Sequence, residues 1–123
     1  MSKKILIIED EKEFLWVLRQ DFEAAGFDII TASDGQEGMA LIQKEKPDLI
    51  LLDIMMPKMN GIEMAKKLDE KSKKIPIIFL TNMKDDIHIS QAMEAVPNTE
   101  YMIKSDVSVS GIIERVKAKL KME

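Results

Sequence analysis

The stretch Leu49-Ile50-Leu51-Leu52-Asp53-Ile54-Met55-Met56-Pro57-Lys58-Met59-Asn60-Gly61 says most about how this chain folds. Four apolar residues lead into the carboxylate of Asp53, and the segment that ends at Gly61 then turns the backbone sharply. The carboxyl ends of the strands in an open α/β sheet diverge and leave a crevice in which ligands and reactions gather. The stretch therefore predicts a chemically useful carboxylate at the end of a buried strand.

Short apolar runs alternate with longer segments of helical period along the chain, which is typical of βαβ units around a parallel sheet. Five such pairs are predicted, with strands at Lys4–Ile8, Asp28–Ala32, Leu49–Asp53, Ile77–Leu80 and Glu100–Ile103. Crossovers are right-handed, and the central strands show no polar alternation, so helices must cover both faces of the sheet. The predicted fold class is α/β, a doubly wound five-stranded parallel sheet of order 2-1-3-4-5, flavodoxin-like (βα)5.

Apolar residues at i, i+3, i+4, i+7 spacing predict the buried faces of three helices. The stripes are Phe14/Val17/Leu18/Phe22/Ala25 in the first helix, Ile89/Ala92/Met93/Val96 in the fourth and Val109/Ile112/Ile113/Val116/Leu120 in the fifth. Trp16 falls outside its stripe and is expected at the surface.

The composition fits one globular domain. The chain has 123 residues, of which 46% are apolar and 33% charged, and its net charge is −4. A domain of this size buries roughly two-thirds of its unfolded surface, so residues 1–123 are expected to form a single domain. The mild acidity argues against a nucleic-acid interface. Lysine clusters such as Lys71/Lys73/Lys74 are interpreted as solvated helix ends.

The lack of cysteine and of a long apolar segment excludes further kinds of site and of protein. The chain has no Cys, which excludes disulfides, thiolate metal sites and cysteine nucleophiles. The apolar run Ile5–Ile8 near the N-terminus is too short for a signal peptide or a membrane span. We therefore expect a soluble, cytoplasmic protein without membrane contacts.

The acidic residues Glu9–Glu11 follow the first predicted strand and belong at the same edge of the sheet as Asp53. Carboxylates this close would repel one another unless a cation lay between them. Magnesium takes oxygen ligands and typically uses one or two carboxylates together with phosphate oxygens of a substrate. A simpler interpretation, favoured for Glu11 alone, is that these acids stabilise the N-terminus of the first helix.

Two further side chains at strand ends complete a set suited to phosphoryl transfer. A carboxylate such as Asp53 can accept a phosphoryl group, provided that a cation and hydrogen-bond donors offset the charge on its oxygens. Lys104 would supply the cation and Thr81 the hydroxyl. Taken singly, each has a plainer explanation: Asp53 as a turn residue, Thr81 as a β-former and Lys104 as a surface lysine.

Taken together, these motifs resemble a known family. Glu9-Asp10, the pattern Asp-x-x-Met-Pro-x-Met-x-Gly from Asp53 to Gly61, Thr81, and Tyr101-Met102-Ile103-Lys104 resemble the receiver domain of bacterial two-component response regulators. The resemblance extends from Lys4 to about Leu120 and is to the stand-alone, chemotaxis-type regulators. It implies that a sensor histidine kinase or a phosphotransfer protein donates the phosphoryl group, and that the chain is a signalling domain rather than an enzyme with a separate substrate.

The resemblance assigns a role to each acidic position. It implies that Asp53 is the phosphoacceptor and that Asp10 and the backbone carbonyl of Met55 are direct ligands of Mg2+. Asp53 completes the metal site, and Glu9 is expected to act through water. Glu9 stands where the family more often has Asp, which lengthens the reach of the side chain by one methylene.

The remaining roles concern the phosphoryl group and the output. The resemblance implies that Thr81 and the backbone N–H of Asn82 bind the phosphoryl group, and that Lys104 pairs with Asp53 or its phosphate. Tyr101 resembles the aromatic switch residue. The expected output is a change of the face formed by helix 4, strand 5 and helix 5, through which the protein regulates a partner protein or forms a phosphorylation-dependent homodimer instead of a monomer.

Two local sequence features lead to specific expectations. Ser105 replaces the proline that usually follows the lysine, and a cis peptide costs about 2.5–4 kcal/mol without proline, so the Lys104–Ser105 bond is predicted to be trans. Met55 and Met83, two residues after Asp53 and Thr81, are apolar and unable to orient water. We therefore expect the aspartyl phosphate to be long-lived.

Three alternatives use related folds. A haloacid-dehalogenase-type enzyme needs a second Asp two residues after the first, where this chain has Met55. A flavodoxin-like or dinucleotide-binding module needs a glycine-rich or hydroxyl-rich phosphate loop after the first strand, where Glu9–Glu11 would repel a phosphate. A pseudo-receiver used only for docking would have no reason to keep the whole set together, that is Asp10, Asp53, Thr81 and Lys104.

Overall fold

The strands lie where the apolar runs predict them. The computed structural model describes residues 2–56, 58–82, 90, 94 and 99–122. Its five strands are β1 (Lys4–Ile8), β2 (Asp28–Ala32), β3 (Leu49–Asp53), β4 (Ile77–Thr81) and β5 (Thr99–Ile103). The first three match the predicted bounds, whereas β4 and β5 are each one residue longer than predicted.

Helices connect these strands. They are α1 (Lys12–Ala24), α2 (Gly35–Glu45), α3 (Gly61–Lys66) and a C-terminal helix (Val109–Lys119). Short 3-10 turns occupy Ser72–Lys74 and Lys104–Asp106. The predicted stripe Ile89/Ala92/Met93/Val96 of the fourth helix lies outside the described residues. None of the described helices is long and apolar enough to cross a membrane.

The sheet confirms the predicted topology. Its order is β2-β1-β3-β4-β5, and the neighbouring strands pair in parallel. The middle strand, β3, is buried along its whole length. In the register, Ile8 of β1 pairs with Leu52 of β3, and Asp53 pairs with Leu80 of β4. Asp53 therefore ends the central strand, with the ends of β1 and β4 on either side.

Each face of the sheet has its own hydrophobic core, as a doubly wound fold requires. Side chains alternate between the faces, so Leu6 and Ile8 of β1 pack in the core under α2 and α3. Ile5 and Ile7 pack in the opposite core, under α1 and the C-terminal helix. The central strands are apolar on both sides because both sides are covered.

The helical stripes are confirmed in the C-terminal helix and only partly in α1. In the C-terminal helix, Ile112, Ile113 and Val116 are buried. In α1 the buried residues are Leu18 and Phe22, whereas Val17 is 37% exposed, and Ala25 beyond the helix is also exposed. The prediction was wrong for Val17 and Ala25. Residues i and i+4 on α1 already cover the core it contacts, which leaves the flanking positions in solvent. Trp16 is exposed, as predicted.

Gly61 begins α3 where the loop after Asp53 returns to the sheet. Its N–H donates to the carbonyl of Ile54 at 2.9 Å. A Cβ at this position would lie 2.5 Å from the carbonyl oxygen of Asp53 and 3.1 Å from the Cα of Ile54. Both neighbours are backbone atoms, which cannot move aside as the end of a flexible side chain can. The absence of a side chain at Gly61 therefore lets the loop pack closely behind Asp53.

Gly61→Ala should accordingly destabilise the fold by about 1–3 kcal/mol, because the new methyl group overpacks the backbone of β3. Gly111→Ala is the matched control, since Gly111 also lies in the first turn of a helix, and its Cβ would meet only the hydroxyl of Ser108, at 3.3 Å. The control should be neutral or slightly stabilising because Ala has the higher helix propensity. Urea unfolding followed by circular dichroism measures both, and equal stability of the two variants would contradict this account of Gly61.

Candidate functional site

The carboxyl ends of three adjacent strands bring the predicted site residues to one edge of the sheet. Asp53 is the last residue of β3, Glu9 and Asp10 follow β1 directly, and Thr81 is the last residue of β4. Neighbouring parallel strands lie about 4.8 Å apart, so groups at their ends can interact directly. Glu9 and Thr81 are buried, and Asp53 is only 3% exposed.

Three carboxylates form a tight acidic cluster there. One carboxylate oxygen from each of Glu9, Asp10 and Asp53 lies within 4.8 Å of the other two. Backbone groups fix two of these side chains: the Glu11 N–H donates to Glu9 Oε2 at 3.1 Å, and the Met55 N–H donates to Asp53 Oδ1 at 3.2 Å. Asp10 is exposed, whereas Glu9 and Asp53 are buried. Backbone hydrogen bonds therefore position the two buried acids, and the cluster meets solvent at Asp10.

Lys104 places its ammonium group among these acids. Its Nζ lies 2.6 Å from Glu9 Oε1, 3.5 Å from Asp53 Oδ2 and 3.6 Å from Glu11 Oε1. The side chain is only 7% exposed, although it comes from the end of β5, two strands away from β3. The ring of Phe14 on α1 lies below the ammonium group, 4.9 Å from Nζ to the ring centroid. Lys104 is therefore held between charge on one side and an aromatic face on the other.

The electrostatics of the cluster follow from burial and like charge. Burial, and then the negative charge of Glu9, raise the pKa of Asp53 from its ordinary value of 3.8 to about 8. Lys104 and the Met55 N–H oppose this increase without cancelling it. Burial alone would lower the pKa of Lys104, but its contacts with Glu9, Asp53 and Glu11 raise it above the ordinary value. Lys104 thus stays charged, while Asp53 holds a proton near neutral pH unless further positive charge arrives.

The donor set fits a hard divalent cation. Carboxylate oxygens are the ligands that Mg2+ takes in proteins, usually one or two together with water. The cluster offers one carboxylate oxygen from each of Glu9, Asp10 and Asp53, all within 4.8 Å of one another. A cation there would also relieve the repulsion that raises the pKa of Asp53. The predicted carboxylate ligands are therefore assembled in an arrangement that could hold a metal ion.

The other predicted residues are located by the strands that carry or precede them. Asn82 follows Thr81 and is exposed at the rim. Tyr101 lies on β5, opposite Phe79, and its side chain is exposed. Met55 follows Asp53 by two residues, and its side chain is 55% exposed. Met83 lies outside the described residues.

The backbone after β5 agrees with the prediction made from Ser105. The described part of the chain contains no cis peptide, so the Lys104–Ser105 bond is trans. The 3-10 turn Lys104–Asp106 carries the lysine toward the acidic cluster. Serine therefore suffices at this position to direct Lys104 to Glu9 and Asp53.

Sequence reasoning missed two residues of the site. Phe14 was assigned only to the buried stripe of α1, but its ring lies against the Lys104 ammonium group. Glu11 was assigned to the helix N-terminus, and it does occupy the N-cap position of α1 while also lying near Lys104. Spacing puts Phe14 four residues after Asp10, hence about one helical turn from the acidic loop, but it does not indicate the contact with Lys104.

Comparison with known proteins agrees with this geometry. The family model described as the response regulator receiver domain matches residues 5–117. The chain is 40% identical over 121 residues to the alkaline phosphatase synthesis transcriptional regulatory protein PhoP of Bacillus subtilis (strain 168). That alignment covers 98% of this chain and 50% of PhoP, so the chain spans about half the length of this relative.

Solved structures of similar fold point the same way. The receiver domain of the Francisella response regulator 1452 matches with a TM-score of 0.87 and 28% identity, over 98% of each chain. A CheY-like response regulator receiver domain protein from Methanospirillum hungatei JF-1 matches with the same TM-score and identity, over 98% of this chain and 95% of that one. Sequence and fold therefore select one family.

The raised pKa of Asp53 predicts how the stability of the metal-free protein depends on pH. Folded Asp53 keeps its proton up to about pH 8, whereas the unfolded residue loses it near 3.8. The folded state then binds more protons across this window, so the free energy of unfolding should fall as the pH rises from about 4 to about 8. Asp53→Asn should remove this dependence and be more stable than wild type at pH 8 by about 1–3 kcal/mol.

Urea unfolding in EDTA at several pH values between about 5 and about 8 tests this expectation. Asp21→Asn is the control, because Asp21 is exposed on α1 and away from the cluster. It should reproduce the wild-type pH dependence. An Asp53→Asn variant with the same pH dependence as wild type would show that Asp53 does not hold the proton.

Proposed function

The chain belongs to the response regulator receiver domain family, and from this membership we propose that Asp53 accepts a phosphoryl group from a histidine on a partner protein. Receiver domains are signalling domains that are phosphorylated on an Asp and that interact with sensor histidine kinases or phosphotransfer proteins. The observation that carries the assignment to Asp53 is its position at the end of the central strand, within 4.8 Å of oxygens of Glu9 and Asp10 and 3.5 Å from the ammonium group of Lys104.

The proposed transfer needs one covalent exchange. An oxygen of the Asp53 carboxylate forms a bond to phosphorus as the bond from phosphorus to the donor histidine nitrogen breaks. The departing imidazole nitrogen keeps the bonding electron pair and takes up a proton, which leaves a neutral histidine. Asp53 must be an anion to attack. Lys104, whose ammonium group lies 3.5 Å from Oδ2, favours that form without completing the shift, and the positive charge of a bound Mg2+ would favour it further.

The chain's own residues offset the charge of the transferred group. Lys104 can contact the phosphoryl oxygens because its ammonium group already lies between Glu9 and Asp53. The hydroxyl of Thr81, the last residue of β4, and the backbone N–H of Asn82, the next residue, supply hydrogen-bond donors. Asp10, Asp53 and the backbone carbonyl of Met55, with Glu9 acting through water, are the proposed ligands of Mg2+. When bound, the ion supplies positive charge at the phosphoryl oxygens.

We further propose that phosphorylation changes the surface around β5. Thr81 moves toward the phosphoryl group, and Tyr101, now exposed, turns inward into the space that Thr81 leaves. The two states need differ by only a few kcal/mol, since a local charge then suffices to shift the population. The altered face, made by helix 4, strand 5 and helix 5, contacts a partner protein or a second copy of the chain.

Several broader features belong to the same proposal. Residues 1–123 act as one receiver domain in the cytoplasm, with no direct contact to nucleic acid or membrane. The acidic balance of the chain, with 22 acidic and 18 basic residues, supports a protein partner over nucleic acid. The chain spans about half the length of PhoP. The altered face passes the signal to the protein that contacts it.

Incubation with acetyl phosphate or phosphoramidate and Mg2+ is expected to add one phosphoryl group, observed by intact-protein mass spectrometry. Asp53→Ala should abolish the addition, and EDTA should slow it strongly, because both the nucleophile and the charge-offsetting metal are then missing. Asp21→Asn should be phosphorylated like wild type. A modification that persists in Asp53→Ala, or that forms equally fast in EDTA, would overturn the assignment.

The lifetime of the aspartyl phosphate should depend on Met55. This exposed, apolar side chain borders the site and cannot orient a water molecule for hydrolysis. Met55→Asn should speed dephosphorylation by on the order of ten-fold, since a positioned polar group assists proton transfer, and Met83→Glu should act in the same direction. The decay is measured after removal of the phosphodonor, with Lys58→Asn, in the same loop, as the control. Unchanged decay in both methionine variants would exclude control by these side chains.

The proposed switch can be followed by amide NMR with beryllofluoride and Mg2+ as the phosphoryl mimic. Shifts should spread from Asp53 through Thr81 and Tyr101 to residues 84–96, because the charge at Asp53 is expected to move Thr81 and then Tyr101. Tyr101→Ala should shorten the path, with shifts ending near Thr81. Shifts confined to the metal loop of the wild-type protein would show that the switch works differently.

A further inference from the structure

We propose that a cavity at the opposite end of the sheet binds a small molecule that combines an apolar body with an anionic group. The cavity has a volume of about 380 Å3 and lies between α2 and the segment 69–75 that precedes β4. Pro47 lies just before β3 and Ile75 just before β4, so the cavity opens at the amino ends of the strands whose other ends carry Asp53 and Thr81. It shares no residue with the acidic cluster.

The floor of the cavity is apolar. Ile42 of α2 and Pro47 are buried, and Ile75 is half-buried between them and the solvent. An engineered apolar cavity of about 150 Å3 already holds a benzene molecule, so this volume suffices for a bicyclic aromatic ring or a comparable aliphatic body. Ligand sites commonly pair such a floor with a few fixed polar groups.

One wall supplies those fixed polar groups. The amide of Gln43 donates from Nε2 to Asp69 Oδ2 at 3.3 Å and to Ser72 Oγ at 3.4 Å. Asp69 Oδ1 accepts the backbone N–H of Ser72 at 2.7 Å. These bonds join α2 to the segment 69–75 across the cavity and hold both sides in place. The wall is therefore formed before a ligand arrives.

The charged side chains that line the cavity favour an anionic ligand. Lys46 and Lys71 line the cavity, and neither forms an ion pair within the described part of the chain. The carboxylate of Asp69, which also lines the cavity, already accepts hydrogen bonds from Ser72 and Gln43. Two lysines against one engaged carboxylate leave a net positive lining.

The charged residues around the cavity also favour an anionic ligand. In this fold the helices run antiparallel to the strands, so the C-terminal ends of α2 and α3 meet at the amino edge of the sheet. Further lysines gather there, at Lys44, Lys66, Lys67, Lys73 and Lys74. Together with Lys46 and Lys71 they outnumber the acids of this end, Glu45, Asp48, Asp69 and Glu70, so the local field favours anions although the whole chain is acidic. A carboxylate, sulfonate or phosphate attached to an apolar body fits both the rim and the floor.

The test uses naphthalene-1-sulfonate as the probe, titrated into the 15N-labelled protein and followed by amide NMR. Shifts should be confined to residues 42–47 and 69–75. The Lys46→Gln/Lys71→Gln double variant should weaken binding about five-fold, as expected for the loss of two exposed charge contacts. The neutral naphthalene-1-methanol should bind the wild-type protein more weakly by a similar factor.

The matched control is Lys66→Gln/Lys67→Gln, which removes the same charge from the same end of the protein but not from the cavity rim. It should leave the affinity for naphthalene-1-sulfonate nearly unchanged. All four replaced side chains are exposed, so both double variants should fold. Equal losses in the two variants, equal affinity for the neutral probe, or shifts scattered over the lysine-rich end would each overturn the proposal.

Discussion

The ion pairs of Lys104 are the interactions on which the rest of the site depends. Two buried carboxylates, Glu9 and Asp53, end adjacent strands that the hydrophobic core forces together. Burying two neighbouring carboxylates costs free energy unless a cation lies near them. Lys104 provides that cation from two strands away, and its contact with Glu9, at 2.6 Å, is shorter than its contact with Asp53, at 3.5 Å. The lysine is thus anchored by the residue that is not the proposed nucleophile.

The different contacts of Glu9 and Asp53 affect which of them can react. One oxygen of Glu9 forms an ion pair with Lys104, and the other accepts the N–H of Glu11. Asp53 Oδ1 accepts the N–H of Met55, and its Oδ2 has a looser contact with Lys104. Of the two buried acids, Asp53 therefore has the oxygen that is easier to redirect toward an incoming group. Its raised pKa reflects the same incomplete compensation and means that added positive charge is needed to keep it ionised.

Much of the fold could be predicted because the strands are continuous apolar runs that only a doubly covered parallel sheet can bury. The bounds of β1, β2 and β3 followed from those runs alone. Thr81 was left outside β4 because the apolar run ends at Leu80, yet it pairs with Ile103 as an ordinary strand residue. Val17 was misassigned because helical periodicity gives the direction of a stripe but not its width, which depends on the neighbouring elements.

The acidic half of the site could also be predicted, because residues at the carboxyl ends of adjacent strands must lie together. The contact between Lys104 and Phe14 could not. It depends on where a long side chain bends after leaving β5 and on which turn of α1 faces it, and sequence spacing specifies neither. Glu11 was likewise given its local role as a helix-terminal acid, and its approach to Lys104 at 3.6 Å arises only from the tertiary arrangement.

The two ends of the sheet differ in charge because strand and helix directions are opposed. Strand ends and helix beginnings meet at one edge, where acids favour the helix N-termini and Asp53 lies among them. Helix ends and strand beginnings meet at the other edge, where lysines favour the helix C-termini and surround the cavity lined by Lys46 and Lys71. Acids at the first edge repel a phosphate unless a cation intervenes, which favours chemistry that is conditional on metal. Lysines at the second edge attract an anion without such help. The same topology thus places the proposed phosphorylation site, which needs a metal ion, at one edge of the sheet. It places the proposed anion-binding cavity, which needs none, at the other.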